Sequence, residues 1–281
     1  MPCAELVTHE ERSAGPTRRV AIVTGAARGI GAATVLALAG KGWSVLALDL
    51  VTDDPALPYP MATDADLSGV LGRARHTAGA DNVAGHRADV RDQAALTAAV
   101  AEAEERWGGL DAAVAAAGVI AGGVPLWEVP IEQERAVLDV DLGGVIALAR
   151  AAVPALLRRP APRSGRFLAV ASAAATRGMP LIAAYCAAKA GVAGLIRALG
   201  AELGGTGVTA NAVSPGSTST AMLDETARLY GLADASAFAA QQPERRLIDP
   251  AEVAAVLAFL AGPDSGAMTG AVVPVDGGLA L

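Results

Sequence analysis

Short β-rich apolar runs alternate with longer Ala- and Leu-rich stretches along most of the chain. By length and composition, the short runs predict strands and the longer stretches predict helices. The predicted strands are 20–24, 44–49, 83–88, 111–115, 166–171, 208–213 and 272–275. The predicted helices lie near 30–40, 66–78, 92–107, 131–158, 183–203 and 250–261. Apolar strands that alternate with helices indicate an α/β fold, a parallel sheet of right-handed βαβ units.

Two segments interrupt this alternation. Residues 50–65 form a Pro-rich insert after the second strand, and residues 216–248 form a long excursion before the last helix. Long loops in a compact domain are usually lids or binding loops, although a plain surface loop fits the insert equally well. With no internal repeat and no low-complexity linker, the sequence predicts a flexible N-terminal segment, 1–18, and a single domain, 19–281.

Composition narrows the class of protein. The 281 residues are 53% hydrophobic and 18% charged, which excludes disorder over most of the length. The net charge of −7 argues against a nucleic-acid or anionic-membrane partner. Two cysteines do not make a disulfide framework, and the three histidines lack metal-ligand spacing. We therefore expect no metal site. Residues 1–18 lack the apolar core of a secretory signal, so we expect a cytoplasmic protein.

A glycine-rich turn joins the first predicted strand to the first helix. In VAIVTGAARGIGAA, residues 20–33, the glycines are Gly25, Gly29 and Gly31. Glycines at such a junction permit a tight turn and close approach of the backbone to a diphosphate, which then lies at the positive end of the helix. Close packing alone also explains a glycine-rich turn, so the pattern is moderate evidence for a dinucleotide.

Acidic residues end the next two predicted strands. Asp49, 18 residues after Gly31, is placed to accept hydrogen bonds from the adenosine ribose and to repel a 2′-phosphate, which favours NAD over NADP. Arg28 argues the other way, since it could pair with that phosphate or simply be solvated. Asp89 and Val90 are placed to meet the adenine edge, and Asp89 fits equally well as the N-cap of the following helix.

Ser172, Tyr185 and Lys189 are the residues that most suggest chemistry. The chain has 20 arginines but only two lysines, and only three tyrosines, yet Lys189 follows Tyr185 by one helical turn. A compact ammonium beside a phenol is a role that a planar guanidinium does not fill. A surface i,i+4 pair is the structural alternative. Ser172 lies 13 positions before Tyr185.

Taken together, these residues resemble the short-chain dehydrogenase/reductase family from about residue 19 to the C-terminus. The motifs that carry the resemblance are TGAARGIG at 24–31, DV at 89–90, Ser172, YCAAK at 185–189, SPGSTST at 214–220 and VDGG at 275–278. The resemblance implies a doubly wound sheet of seven parallel strands, a nicotinamide cofactor across its carboxyl edge, and a homotetramer or homodimer.

The resemblance also assigns roles to residues. Tyr185 is implied to be the acid/base, Lys189 to lower its pKa and hold the cofactor ribose, and Ser172 to bind the substrate oxygen. Asp141 takes the place of the fourth catalytic residue. The cofactor-binding residues implied in this way are Gly25, Arg28, Gly29, Ile30, Gly31, Asp49, Leu50, Asp89, Val90, Ala116, Ala117, Gly118, Tyr185, Lys189, Pro215, Gly216, Thr218 and Thr220.

Two positions depart from the family pattern. The usual N-N-A-G after the fourth strand is Ala115-Ala116-Ala117-Gly118, which can keep the backbone turn but not the asparagine hydrogen bonds. The usual fourth catalytic residue, asparagine, is Asp141 in VLDVDLGGV. Aspartate is nearly isosteric with asparagine and can keep a helix distortion there; if charged, it favours protonated Lys189.

The insert LPYPMATDADL resembles that of actinobacterial short-chain dehydrogenases associated with the redox peptide cofactor mycofactocin. In those proteins the insert is thought to cover the nicotinamide cofactor and keep it bound. This narrower resemblance implies tightly held NAD that is recycled by a redox peptide partner.

The expected activity is interconversion of a hydrophobic secondary alcohol and its ketone with NAD. Tyr185 takes the hydroxyl proton. Lys189 and the positive charge of the oxidised nicotinamide both favour its phenolate, and an opposite charge within about 4–6 Å lowers a pKa by roughly 1–3 units. The predicted pocket, 173–181, 119–124 and 217–246, is mostly small and apolar, which suggests a terpenoid or steroid. The alternatives are a sugar-nucleotide epimerase or dehydratase, for which the chain is short, and a non-catalytic NAD-binding sensor or scaffold.

Overall fold

A sheet of seven parallel strands forms the centre of the computed structural model, which describes residues 18–281. The strands are β1 Val20–Thr24, β2 Ser44–Asp49, β3 Val83–Arg87, β4 Ala112–Ala115, β5 Arg166–Val170, β6 Thr209–Pro215 and β7 Val272–Val275. Their order is β3-β2-β1-β4-β5-β6-β7, so the order reverses between β1 and β4. A crevice opens at the carboxyl edge beside such a reversal. The predicted doubly wound α/β fold is confirmed.

Eight α-helices accompany the strands within residues 18–281. They are α1 Gly29–Gly40, α2 Asp64–Ala78, α3 Gln93–Trp107, α4 Ile131–Leu138, α5 Gly144–Arg158, α6 Ala183–Glu202, α7 Ala221–Leu229 and α8 Pro250–Ala261. The sequence did not predict α7, which lies in the excursion over 216–248. A π-helical turn, Asp139–Gly143, divides the single helix predicted over 131–158. The predicted flexible N-terminal segment falls almost entirely on residues 1–17, outside the described residues.

Alternate side chains of each strand pack on opposite faces of the sheet, because successive residues of a strand point to opposite sides. On β1, Val20 and Ile22 join the core formed with α3, α5 and α6. Ala21 and Val23 join the core formed with α1, α2 and α8. Both sets are fully buried, which explains why the strands read as continuous apolar runs.

One helical stretch, Ile131–Arg158, is long and apolar enough to cross a membrane by length and composition, with a mean hydropathy of 1.7. It comprises α4, the π turn and α5, and 56% of its most apolar part is buried inside the fold. Leu148 and Leu156 of α5 contact the core beneath the sheet. We therefore interpret this stretch as an interior helix pair.

Candidate active site

A cavity of about 450 Å³ opens at the carboxyl edge of the sheet. It is lined by the ends of β1, β2, β4, β5 and β6, by the insert and by α7. Every residue predicted to bind the cofactor lines this one cavity, as do Ser172, Tyr185 and Lys189. Asp141 is the exception: its side chain is fully buried behind Lys189 and does not line the cavity.

The glycine turn forms the floor at one end of the cavity. Gly25 and Gly29 have positive φ angles of 64° and 57°, which glycine adopts without strain. A Cβ atom on Gly31 would collide with the carbonyl oxygen of Gly25. No side chain caps the first turn of α1, and its first residues line the cavity. This backbone therefore fits a diphosphate, which accepts hydrogen bonds from helix N-terminal amides.

Asp49 is held in place by the backbone at the end of β2. Its Oδ2 accepts a hydrogen bond from the amide of Ala27 at 2.9 Å, and Oδ1 accepts one from Val51 at 3.2 Å. The carboxylate is thereby fixed at the cavity wall next to the glycine turn. Arg28, which could have been solvated, donates to the carbonyl oxygen of Pro60 at 3.1 Å instead.

Asp89 does not cap the following helix, so that alternative is wrong. The N-cap of α3 is Asp92, which accepts hydrogen bonds from the first amides of the helix. Asp89 pairs with Arg91 at 2.6 Å, and the same guanidinium reaches Asp54 of the insert at 2.7 Å. Burial opposes the charge of Asp89, but the hydrogen bonds from Arg91 outweigh it and lower the pKa of the carboxyl.

Thr24 holds the turn at residues 115–118, where the family pattern has N-N-A-G. The hydroxyl oxygen of Thr24 accepts hydrogen bonds from the amides of Ala116 and Ala117, at 3.1 and 3.3 Å. These bonds join the end of β1 to the segment that follows β4. The asparagine side chains are therefore not needed to hold this turn against β1.

Lys189 lies in the cluster of predicted catalytic residues and is only 4% exposed. Its Nζ donates to the carbonyl oxygen of Val170 at 3.1 Å and lies 3.0 Å from Oδ2 of Asp141. The ring centroid of Tyr185 is 5.5 Å from the same nitrogen. The other oxygen of Asp141 accepts from the amide of Val119 at 2.7 Å. Three elements, β5, the π turn and α6, thus converge on one ammonium.

The protein's own groups raise the pKa of Tyr185, so Lys189 alone does not produce the expected lowering. Burial of the phenol is the largest effect and raises the pKa; Lys189 and the Ser172 hydroxyl lower it, and Asp141 raises it again. The expected influence of Lys189 is present, but desolvation exceeds it.

Lys189 keeps its charge at neutral pH. Burial disfavours the ammonium, but Asp141 and Tyr185 outweigh burial and raise the pKa of Lys189.

The insert makes polar contacts with three other segments that line the cavity, and the sequence did not predict these contacts. The hydroxyl oxygen of Tyr59 accepts from the amide of Ile120 at 2.9 Å, and both residues line the cavity. The carbonyl oxygen of Pro60 accepts from Arg28, and Asp54 forms an ion pair with Arg91. Within the insert, Asp53 accepts from the amide of Met61. Burial raises the pKa of Tyr59, so its hydroxyl stays neutral. We call residues 50–65 the clasp.

Comparison with known proteins identifies the family. A family model described as "Enoyl-(Acyl carrier protein) reductase" matches residues 25–280. The short-chain reductase protein NovJ of Streptomyces niveus is 41% identical, over 92% of this chain and 93% of its own length. The chain belongs to the short-chain dehydrogenase/reductase family.

Two further comparisons extend over most of the chain. An uncharacterized NAD-dependent oxidoreductase of Mycobacterium tuberculosis is 36% identical over 92% of this chain and 95% of its own length. The crystal structure of carveol dehydrogenase from Mycobacterium avium in complex with NAD superposes with a TM-score of 0.87 at 32% identity. It covers 93% of this chain and 97% of that one. Short-chain dehydrogenases thus share the whole described fold.

Several cavity residues were missed by sequence reasoning. They include Asp54 and Arg91. Arg91 follows directly after the DV motif, and Asp54 lies in the Pro-rich insert, so position alone could have suggested both. Arg177 and Met222 fall within the predicted pocket ranges 173–181 and 217–246, although the sequence did not single them out.

Proposed function

We propose that the protein is an oxidoreductase that interconverts a hydrophobic secondary alcohol and its ketone with NAD. The observation that carries this proposal is that the Tyr185 phenol, the Ser172 hydroxyl and the Lys189 ammonium line the same cavity as the glycine turn and Asp49. A proton-transfer group and a dinucleotide cradle in one cavity are what alcohol oxidation requires.

NAD is the proposed cofactor, and NADP the less favoured one. The carboxylate of Asp49 is fixed by two backbone amides, so a 2′-phosphate at this wall would meet a charge that cannot turn away. Arg28, the base that could have neutralised that phosphate, is engaged by Pro60. A relative named as NAD-dependent and a neighbouring structure solved with NAD support the same choice.

Bound NAD would supply the hydride acceptor, and the reduced form the hydride donor. The protein's own part is to move one proton and hold one oxygen. In the oxidation direction Tyr185 takes the proton of the alcohol hydroxyl, while Ser172 donates a hydrogen bond to that oxygen. Lys189 remains charged beside Tyr185 and favours the phenolate. Carbonyl reduction uses the same groups in reverse.

The substrate half of the cavity favours an apolar ring. Its walls include Met179, Pro180, Ile182, Met222 and Phe238, close to Ser172 and Tyr185. Such a wall binds hydrocarbon surface and leaves only the reacting oxygen to be hydrogen-bonded. A structural neighbour is named a carveol dehydrogenase. We therefore propose a terpenoid-like or steroid-like alcohol as the substrate class.

The clasp supports the narrower proposal that NAD is held tightly and recycled by mycofactocin, a redox peptide. Four clasp residues line the cavity: Thr52, Asp54, Tyr59 and Met61. The Tyr59–Ile120 hydrogen bond joins the clasp to the segment that follows β4. A cofactor beneath this bridge leaves only after the bridge opens. Slow release in turn calls for reoxidation in place by a partner.

We also propose that the protein is a homodimer or homotetramer and that it is cytoplasmic. Trp127 is 84% exposed, and the neighbouring Leu126 and Ile131 are each 47% exposed, an apolar patch at the start of α4. Apolar patches of this kind often mark contacts between subunits. Light scattering of the purified chain measures the assembly directly, and a monomer would contradict this part. The domain limits, 19–281, remain part of the proposal.

The experiment starts with protein purified without added cofactor. Denaturation and chromatography of the supernatant should release NAD(H). A panel of cyclic secondary alcohols is then assayed with free NAD alone and with an artificial electron acceptor. Turnover only with the acceptor supports held NAD. Turnover with free NAD supports an ordinary exchangeable cofactor. Bound NAD without turnover of any alcohol by either route supports the non-catalytic sensor instead.

A further inference from the structure

Asp141 lies deeper than any other acidic side chain near the catalytic cluster. It is 0% exposed, and it sits on the π-helical turn between α4 and α5. A π turn inside an α-helix changes the direction of the side chains that it carries and is common at functional sites. Here it directs the carboxylate of Asp141 towards Lys189 on α6.

One oxygen of Asp141 accepts a hydrogen bond, and the other lies in an ion pair. Oδ1 accepts from the amide of Val119 at 2.7 Å, and Oδ2 lies 3.0 Å from the ammonium of Lys189. A protonated carboxylic acid needs an acceptor for its own proton, and neither contact offers one. Burial raises the pKa of Asp141, while Lys189 and the Val119 amide oppose that rise, and these two contacts favour the ionised carboxylate.

An asparagine could not make the same pair of contacts. Its side chain has one acceptor oxygen, and its NH₂ group would face either the Val119 amide or the Lys189 ammonium, donor against donor. The aspartate at this position is thus matched to a direct contact with Lys189. Lys189 also donates one of its three hydrogens to the carbonyl oxygen of Val170, so part of the ammonium's hydrogen-bonding capacity is used away from Tyr185.

We propose that Asp141 is a positioning residue. Its carboxylate is the counter-ion of Lys189 and partly offsets the electrostatic stabilisation that this ammonium gives to the Tyr185 phenolate. Tyr185 faces Lys189 and Cys186 on α6, Asp141 on the π turn and Ser172 after β5. Asp141 itself also faces Tyr59 of the clasp. Among these groups, Lys189 and Asp141 are the charged ones, with opposite effects on the phenol.

The test is an alkaline pH-jump titration of the cofactor-free, full-length protein, read by phenolate absorbance before unfolding begins. The chain has three tyrosines, and the same titration in a Tyr185→Phe background assigns the signal. In Asp141→Asn we expect the Tyr185 transition to move down by about one pH unit or more, since a negative charge close to the phenol has been removed. A transition that stays in place or moves up would overturn the proposal.

Two further variants separate charge from shape. Asp141→Ala also removes the charge, and it replaces Asp141→Asn in the titration if that variant does not fold. Asp141→Glu keeps the charge, so its transition should stay nearer to the wild-type position than that of either neutral variant. A transition in Asp141→Glu that falls as far as in Asp141→Asn would show that shape alone is responsible.

The kinetic consequence rests on the proposed function. In alcohol oxidation the acidic limb of the kcat/KM profile should move to lower pH in Asp141→Asn, in step with the titration. If no alcohol is turned over but the phenol transition moves as expected, the proposed function fails and the role of Asp141 stands. If turnover is present and the transition does not move, the role of Asp141 fails alone.

Discussion

The two ends of the cavity differ in the groups that form them: mainly backbone at one end, and buried charged side chains at the other. At the end proposed for the dinucleotide, most of the surface is backbone. It consists of the glycine turn, the start of α1, and two amides that fix Asp49. At the catalytic end, buried side chains carry the site, with Lys189 held between β5 and the π turn. The first end depends on the absence of side chains, and the second on charges that must balance in a low-dielectric interior.

This difference predicts which kind of substitution disrupts each end. A backbone cradle fails when a methyl group is added, whereas a buried ion pair fails when one partner is removed. The clasp belongs to neither class, because it joins the two ends through single hydrogen bonds from a loop. Variants at the catalytic end should therefore have the largest effects and variants of the clasp the smallest.

Lys189→Met should be the most severe of these changes. It removes the ammonium beside Tyr185 and leaves the carboxylate of Asp141 buried without its counter-ion. Breaking a buried pair in this way typically costs roughly 3–5 kcal/mol of unfolding free energy. Chemical denaturation measures that loss. The double variant with Asp141→Asn is the control, and it should recover part of the stability but none of the turnover.

Gly31→Ala should abolish the dinucleotide cradle. The added methyl group meets the carbonyl oxygen of Gly25, so the turn must shift, and such overpacking costs roughly 1–3 kcal/mol. NAD titration by calorimetry should show weaker binding. Gly40→Ala at the other end of α1 is the matched control, because nothing lies within 4 Å of its new Cβ. Equal losses in both variants would contradict the cradle.

Asp49→Asn should relax the choice of cofactor without disturbing the turn. The amide oxygen can still accept one of the two backbone hydrogen bonds, while the charge that repels a 2′-phosphate is gone. The ratio of kcat/KM for NAD to that for NADP should fall by roughly tenfold, or about 1.4 kcal/mol. Asp53→Asn, in the clasp, is the control with the same chemical change. A wild-type protein that already prefers NADP would refute the role given to Asp49.

Tyr59→Phe should have the smallest effect. It deletes the hydroxyl that accepts from Ile120 and keeps the ring. Loss of one hydrogen bond of about 1 kcal/mol corresponds to roughly fivefold faster cofactor release. Stopped-flow fluorescence of bound NADH measures that rate. Tyr230→Phe, which loses a hydrogen bond to Pro180, is the control and should release NADH at the wild-type rate. An unchanged rate in Tyr59→Phe would mean that the clasp does not retain cofactor.

The sequence predicted the regular parts of this fold well. Strands such as 20–24 and 44–49 agree with the structure because they are buried on both faces, and burial fixes their composition. The same reasoning missed α7, because this helix is only nine residues long and buries only two of them, Glu225 and Ala227. Its N-cap, Thr220, was recognised only as part of a cofactor motif.

Motifs predicted which residues line the cavity, but not what they touch there. Asp89 could be placed at the end of β3, whereas its pairing with Arg91 depends on the path of a loop. Likewise, the bond between Tyr59 and Ile120 joins residues 61 positions apart, and no local pattern encodes it. The raised pKa of Tyr185 is a further case, since desolvation depends on the whole surrounding structure.

The central claim is that Tyr185 transfers the proton while the rest of the cavity holds NAD. Single-turnover mixing of NAD-loaded protein with a secondary alcohol, followed by NADH absorbance, tests it most directly. Tyr185→Phe should lower the rate by roughly 10³-fold or more while NAD binding stays near the wild-type value. The wild-type rate should rise with pH, because burial raises the pKa of a phenol that must be deprotonated to react. A Tyr185→Phe protein that reduces NAD at the wild-type rate would contradict the account.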